Sequence, residues 1–470
     1  MEEPEKIVSQ TELDDKAQKL VEEKDADSRL RVYVGPMEKA LTAVLLIWAV
    51  FQVWANMFGT LGAVKLRTAH IMFLLPLAFT LYPTLKKERR RRRLMPVWDI
   101  AFIAAAILSY GYLFMRYDAV AKTGRLNPTD IWVGVVCLVV AFEAARRASG
   151  NLAIIALIFL SYFAVWGRYI PGTFGTSAFT LKRVIKALVW DTNGVLGTGA
   201  GVSATYIFVF VLFGAFLKYS GFSQFINDIA LTLVGQTPGG PAKVAVIASA
   251  LMGMINGSAI ANVATTGTIT IPLMKKTGYK GEFAGAVEAA ASTGGQIMPP
   301  IMGAAAFLMA EYIGIPYAKV AVKAILPAIL YFTGIFISVH LEAKKLGLRG
   351  IPRDQLPKWG LLARDCYLIL PLILLVWLVS SGAKTMSHSA AYSILAAIVV
   401  GLVNFFLTRM RDAEEKSAKT TVRAIGGALA DSGRSAVDSL EAGAKGAITV
   451  AVACAMAGII AGCITVTGLA

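Results

Sequence analysis

Long apolar stretches, separated by short loops that collect the charge, run from residue 37 to the last residue of this chain. A helix crossing a bilayer needs ~20 apolar residues. Such stretches stand at about 37–57, 68–85, 96–115, 131–147, 150–167, 195–218, 318–341, 362–381 and 389–408, with another beginning near Gly446. Only 16% of the 470 residues are charged, against ~25% in an average soluble protein. The fold class this implies is an all-α polytopic membrane protein.

The net charge of +16 concentrates where short loops would sit. Its densest part is Lys86-Lys87-Glu88-Arg89-Arg90-Arg91-Arg92-Arg93, between two apolar stretches. Basic residues in short loops hold the cytoplasmic side of a membrane protein. The run therefore places that loop inside, the N-terminus inside, the loop 116–130 outside and the turn at Arg146-Arg147 inside. No basic soluble domain accompanies it, so nucleic acid is not an expected partner. Residues 1–36 read as a cytoplasmic acidic tail. They lack the basic start and early apolar core of a signal peptide.

No catalytic cluster is visible. Cys137, Cys366, Cys454 and Cys463 lack metal-ligand spacing and read as inert, and His70, His340 and His388 are far apart. No cofactor and no enzyme activity are expected.

Two segments break the pattern. Residues 241–276 are apolar but interrupted at Asn256-Gly257-Ser258, and each half is ~22 Å of helix, too short for a ~30 Å hydrocarbon core. Lys243 precedes the first half and Lys275-Lys276 follow the second. Both ends want the same side of the membrane, so the segment reads as a re-entrant hairpin. Residues 282–312 are interrupted at Thr293-Gly294-Gly295-Gln296-Ile297-Met298-Pro299-Pro300. Proline lacks a backbone N–H and clashes with the preceding turn, so this is a discontinuous helix.

A break at membrane depth is tolerated where the backbone lines a cavity or holds a ligand. It leaves half-helix ends whose N-termini favour a carboxylate and whose carbonyls favour a cation. Asn256, Ser258, Asn262, Thr265 and Thr266 offer neutral oxygens at the first break, and Gly257 lets the chain turn. Thr293 and Gln296, with the carbonyls of Gly294 and Gly295 beside Pro299 and Pro300, do so at the second. Neutral oxygens suit a monovalent ion better than calcium or magnesium, so the expected metal is Na⁺, with H⁺ as the alternative coupling ion. The plainer reading is close packing of small residues, for which Gly253 and Gly257 have the spacing. Asn256-Gly257-Ser258 also matches a glycosylation acceptor, discounted at membrane depth.

Glu288 is the one carboxylate deep in an apolar stretch, which makes it a candidate proton site. It lies only ~9 Å beyond Glu282 along a helix. The expectation is a structural hydrogen bond or an ion pair with a nearby Lys or Arg.

Two amphipathic segments complete the layout. In 177–190, Leu181, Val184, Ile185 and Leu188 share a face. In 421–445, Arg434–Asp438 and Glu441–Lys445 are i,i+4 pairs. The first precedes an inward span ending at Lys218, the second an outward span. The same order in reversed orientation suggests an inverted repeat. A second hairpin and second broken span would then be expected after Ala470, so the chain reads as part of a longer or split protein.

Gly253-Met-Ile-Asn-Gly-Ser-Ala-Ile-Ala-Asn-Val-Ala-Thr-Thr-Gly267 with Ile271-Pro272-Leu273-Met274 resembles the first hairpin of TRAP transporter large membrane subunits. Ala291-Ser-Thr-Gly-Gly-Gln-Ile-Met-Pro-Pro300 resembles their first discontinuous helix. The preceding spans look like a fused small membrane subunit, as in the TAXI subgroup. The resemblance implies an elevator-type, cation-driven importer of small carboxylates working with a periplasmic substrate-binding protein in the cytoplasmic membrane of a bacterium or archaeon. It implies 37–190 as small-subunit-like and 191–470 as large-subunit-like, and makes the hairpin and discontinuous-helix positions the first half of an ion and substrate site. No ATP is implied, and no Walker-type loop is present. The alternatives are a sodium/dicarboxylate-type symporter without a binding protein, a channel, and a fragment that does not transport.

Overall fold

The computed structural model describes residues 30–59, 61–84, 91–92, 94–412 and 418–469. Residues 1–29 of the acidic tail and most of the arginine run lie outside them. Among the described residues the chain is helical apart from a two-residue parallel pairing of Val32–Tyr33 with Arg91–Arg92. Ten helices are long and apolar enough to cross a membrane.

In chain order the helices are α1 (Pro36–Met57), α2 (Ala63–Leu81), α3 (Val97–Thr123), α4 (Pro128–Ala148), α5 (Asn151–Ser161, continued by tighter and wider turns to Tyr169) and α6 (Leu181–Ile185, continued by a π turn Lys186–Trp190). Then come α7 (Thr198–Val234), α8 (Gly240–Asn256), α9 (Ala259–Lys276), α10 (Gly281–Gly294), α11 (Ala304–Ile313), α12 (Tyr317–Lys345), α13 (Trp359–Ser381), α14 (Met386–Asp412) and α15 (Ala418–Thr467).

Several boundaries differ from the sequence reading. Helix α3 runs on to Thr123 and is capped by Gly124 in the left-handed region, so the connection to α4 is short. The amphipathic helix begins at Leu181, where the Thr180 hydroxyl accepts a bond from the Arg183 N–H. Helix α7 does not end at Lys218; the chain bends at Gly221, where φ is 100°, and continues to Val234. Residues 421–445 and the apolar stretch after them form the single helix α15. Its Glu441–Lys445 pair is present, whereas Arg409, not Arg434, supplies its other ion pair, to Asp431.

The chain divides into two compact units. The first comprises residues 1–44, 62–201 and 448–470. Its polar centre is Asp99, fully buried, which accepts from Arg31 Nη1 at 2.5 Å, Arg147 Nη1 at 2.6 Å and Thr84 Oγ1 at 3.1 Å. The Arg147 guanidinium lies over the rings of Phe79 and Phe102. A buried charge is tolerated only when paired in this way. Cys137, Cys454 and Cys463 are buried in this unit without disulfides.

The second unit comprises residues 45–61 and 202–447 and holds the two interrupted segments. Helices α8 and α9 are 17 and 18 residues long, or ~26–27 Å. They fold back on each other, with Ser249 Oγ 3.0 Å from Thr266 Oγ1. Helix α10 packs on both through Ala245, Met274, Ala284, Val287 and Ala291.

Candidate functional site

Gly257 ends α8 in the left-handed region, at φ 61°, and Ser258 restarts the chain as α9 by accepting a bond from the Ala261 N–H at 3.3 Å. Helix α10 ends at Gly294, makes one tight turn over Gly295–Ile297, and loses helical form through Met298 to Gly303 before α11 begins. Pro299–Pro300 is cis, and Met302 carries a positive φ of 59°. The loop is held by Gly303 N–H to Gln296 O at 2.7 Å and by Tyr317 Oη, which donates to Pro300 O at 2.9 Å and also contacts Ile301 O.

The two interruptions meet main chain to main chain. A Cβ on Gly253 would lie 2.4 Å from Gly295 Cα, and one on Gly295 would lie 2.5 Å from Gly253 Cα. A Cβ on Gly257 would lie 2.6 Å from Met302 O. Only glycine allows such an approach. The C-terminal ends of α8 and α10 and the N-terminal ends of α9 and α11 therefore converge on one region. Each helix end carries about half a charge, negative at the carbonyl end and positive at the amide end.

The predicted site residues fall into two groups. Asn262 and Thr266 are fully buried within the hairpin. Asn262 Nδ2 donates to Ser249 O at 2.7 Å and sits at the Gly253–Gly295 crossing. Its Oδ1 is buried with no hydrogen-bond partner. The others face outward or close the loop. Thr265 and Thr293 donate to the carbonyls of their own helices, Ala261 O at 2.8 Å and Ala289 O at 2.7 Å, and Gln296 is exposed. Gly294 is pressed against Tyr331 and Phe332. The Asn256 side chain lies outside the described atoms.

Glu288 is fully buried and ringed by hydroxyls. Its Oε1 accepts from Ser249 Oγ at 2.8 Å, from Ser292 Oγ at 3.1 Å and from Thr266 Oγ1; its Oε2 accepts from Thr270 Oγ1 at 2.6 Å. Among the described residues no Lys or Arg pairs with it; of the two expected arrangements, a structural hydrogen bond or an ion pair, the side chain makes hydrogen bonds to hydroxyls. Thr266 and Thr270 also reach the carbonyls four residues earlier, at 2.9 and 3.0 Å. A hydroxyl has one proton to donate, so each shares it between carboxylate and carbonyl.

Sequence reasoning missed Ser249, Thr270, Ser292 and the Met302–Gly303 corner, and it gave Gly253 a close-packing spacing without its partner Gly295. A signal existed for two of them, Thr270 and Ser292. Thr266 with Thr270, and Glu288 with Ser292, are i,i+4 pairs, which share a helix face.

Residues 135–470 match the family of the tripartite ATP-independent periplasmic transporter, DctM component. The chain belongs to this family. With ten long apolar helices among its described residues it is a multi-pass membrane protein. It is similar to the C4-dicarboxylate TRAP transporter large permease protein DctM of Pseudomonas aeruginosa, 29% identical over 201 residues, 43% of this chain and 46% of that one. The 2,3-diketo-L-gulonate TRAP transporter large permease protein YiaN of Escherichia coli is 25% identical over 198 residues, 41% of this chain and 45% of that one. The sialic acid TRAP transporter large permease protein SiaM of Vibrio cholerae is 26% identical over 195 residues, 41% and 45% of the two chains. The chain spans about half the length of these relatives.

Proposed function

We propose that this DctM-family chain is the permease component of a cation-coupled secondary transporter. It imports small carboxylates delivered by a periplasmic substrate-binding protein, and it sits in the cytoplasmic membrane of a bacterium or archaeon with its N-terminus inside. The observation that carries this reading is the main-chain contact between two interrupted helices, which gathers two carbonyl ends and two amide ends at one place. The carbonyl ends favour a cation and the amide ends an acid group. The three relatives named above carry names of carboxylic acids, which fits the substrate class.

The donor set fits sodium. Asn262 supplies a buried, unpartnered oxygen at the crossing, and the carbonyls around Gly257 and Gly295 are neutral and hard. A monovalent ion needs no dedicated carboxylate cage, unlike calcium. Bound there, sodium supplies charge that favours an anionic substrate nearby. In this reading the hairpin and α10 move together as the elevator body, because Glu288 bonds to hydroxyls on α8, α9 and α10 at once. The spans before residue 190 serve as a fused small subunit of the TAXI type.

The test is uptake of labelled carboxylates into proteoliposomes, with and without the cognate binding protein, under separately imposed sodium and proton gradients. Uptake that needs both the binding protein and a sodium gradient is expected. Uptake independent of the binding protein would turn the assignment to a plain symporter. Non-saturating flux would turn it to a channel.

A further inference from the structure

Lys243, in the first turn of α8, is the only charged residue of that helix and is 3% exposed. Burying a charge is costly unless it is paired. The Lys243 Nζ donates to Thr237 Oγ1 at 3.1 Å and stands 5.2 Å from the centroid of the Phe336 ring. Among the described residues no carboxylate pairs with it. An ammonium has three protons to donate, and the one hydroxyl takes one of them.

The groups around it add basic character. Phe336, His340 and Lys344 follow one another at four-residue steps and share a face of α12. Lys344 acts electrostatically on both Lys243 and His340, and Lys243 acts on His340. His340 Nδ1 is buried with no hydrogen-bond partner. Glu342, the one acidic residue of α12, pairs with Lys345 at 3.6 Å and acts on Tyr279. The first amides of α8 are already used: those of Gly240, Ala242 and Lys243 donate to the carbonyls of Thr237 and Gly239, and Pro241 has none. An anion here would be held by side chains. Thr237 is half-buried and Lys344 exposed, so the cluster opens to the surface. Lys275, Lys276 and Lys345 lie at the same end of the unit, the end that basic residues hold in the cytoplasm.

We propose that Lys243, Thr237, His340 and Lys344 bind a phosphate oxyanion on the cytoplasmic side, as the counter-ion that Lys243 otherwise lacks. Two ammonium groups and two neutral side chains suit an anion that spreads up to two charges over several oxygens. The oxyanion is free phosphate or the headgroup of a lipid in that leaflet, and the chemistry at Lys243 is the same for both. Bound there, it would brace the start of the hairpin to α12. The site needs only the packing of α8 on α12 and stands without the transport reading.

Thermal unfolding of the full chain in lipid-free detergent, with millimolar inorganic phosphate exchanged for chloride at constant ionic strength, reads the site. The wild-type midpoint should rise by about 2–4 °C at saturation. A rise with added phosphatidylglycerol but none with free phosphate would assign the oxyanion to a headgroup. Lys243→Met should respond to neither probe. Without phosphate it should melt no lower than the wild type, because a buried charge has been removed. Should that variant not fold, Lys344→Gln, at an exposed position, should need several-fold more of the active probe for half the rise. A wild type that responds to neither probe would mean that Lys243 has shed its proton instead of binding an anion, and would overturn the proposal. So would a rise of the same size in Lys243→Met, or an unchanged half-point in Lys344→Gln.

Discussion

Replacing Gly253 by alanine tests the contact between the two interruptions through the sign of its effect. Gly253 lies inside α8, where alanine is a better helix former than glycine by ~1 kcal/mol. An α8 packed in the ordinary way would therefore gain stability. The new methyl carbon, however, would stand 2.4 Å from Gly295 Cα and 2.9 Å from Asn262 Nδ2. Carbon atoms rest at ~3.5–4.0 Å, so the chains must part by more than an ångström or the methyl must distort its surroundings. Overpacking of this kind costs ~1–3 kcal/mol. The balance is a loss of ~0–2 kcal/mol, and a loss of ~1–2 kcal/mol raises the population of the locally open state by about 5–30-fold. Gly285→Ala is the matched control. It lies in α10, and nothing stands within 4 Å of the position its methyl would take, so it should stabilise by ~0.5–1 kcal/mol. Hydrogen exchange of peptides covering 245–297, followed by mass spectrometry, reads both variants. Faster exchange in Gly253→Ala and slower exchange in Gly285→Ala are expected. Slower exchange in both would refute the apposition of the breaks and the site built on it.

Four further outcomes follow from the same unit. Thr270→Val removes one of the four hydroxyls on Glu288 and should cost ~0.6–1.7 kcal/mol, the range for hydrogen bonds between membrane helices; Glu288→Gln should lower the thermal midpoint while leaving the pH dependence of uptake in place, and the converse pattern in that assay would make Glu288 the coupling group. Asn262→Ala, Asn256→Ala and Thr293→Ala should each lower sodium-dependent uptake without loss of protein from the membrane, as checked by transport and immunoblot together; unchanged uptake in all three would remove the ion-site assignment. Tyr279, in the turn between α9 and α10, has its phenol pushed up to about 12 by burial and by the nearby Glu342 carboxylate. Its folded-state value is raised, so its contribution to stability is complete below pH ~10 and is lost as pH rises toward 12. Because its hydroxyl is buried without a partner, Tyr279→Phe should be neutral or stabilising by up to ~1 kcal/mol and should blunt the alkaline loss in a pH series of thermal unfolding.

The breaks themselves were legible in the sequence because their chemistry is local. Asn256-Gly257-Ser258 and the glycine and proline run after Thr293 cannot continue a regular apolar helix, and Lys243 with Lys275 and Lys276 constrains the hairpin's ends. Their contact was not legible, since Gly253 and Gly295 are distant in sequence and their meeting depends on how α10 packs against α8 and α9. The depth of Glu288 was visible, but its partners were not, because its hydroxyls come from three separate helices. Boundaries failed for a different reason. Lys218 looks like the end of a span, yet Gly221 lets the chain bend and resume. A change from polar to apolar near Gly446 looks like two elements, yet nothing in the backbone interrupts α15 there.

At the Gly253–Gly295 crossing there is no cushion. Side chains absorb small displacements by switching rotamer, but two bare polypeptide ribbons have nothing to yield. A shift of a few tenths of an ångström on one side must be passed whole to the other, so anything that settled beside Asn262 would be sensed by both ribbons in the same instant.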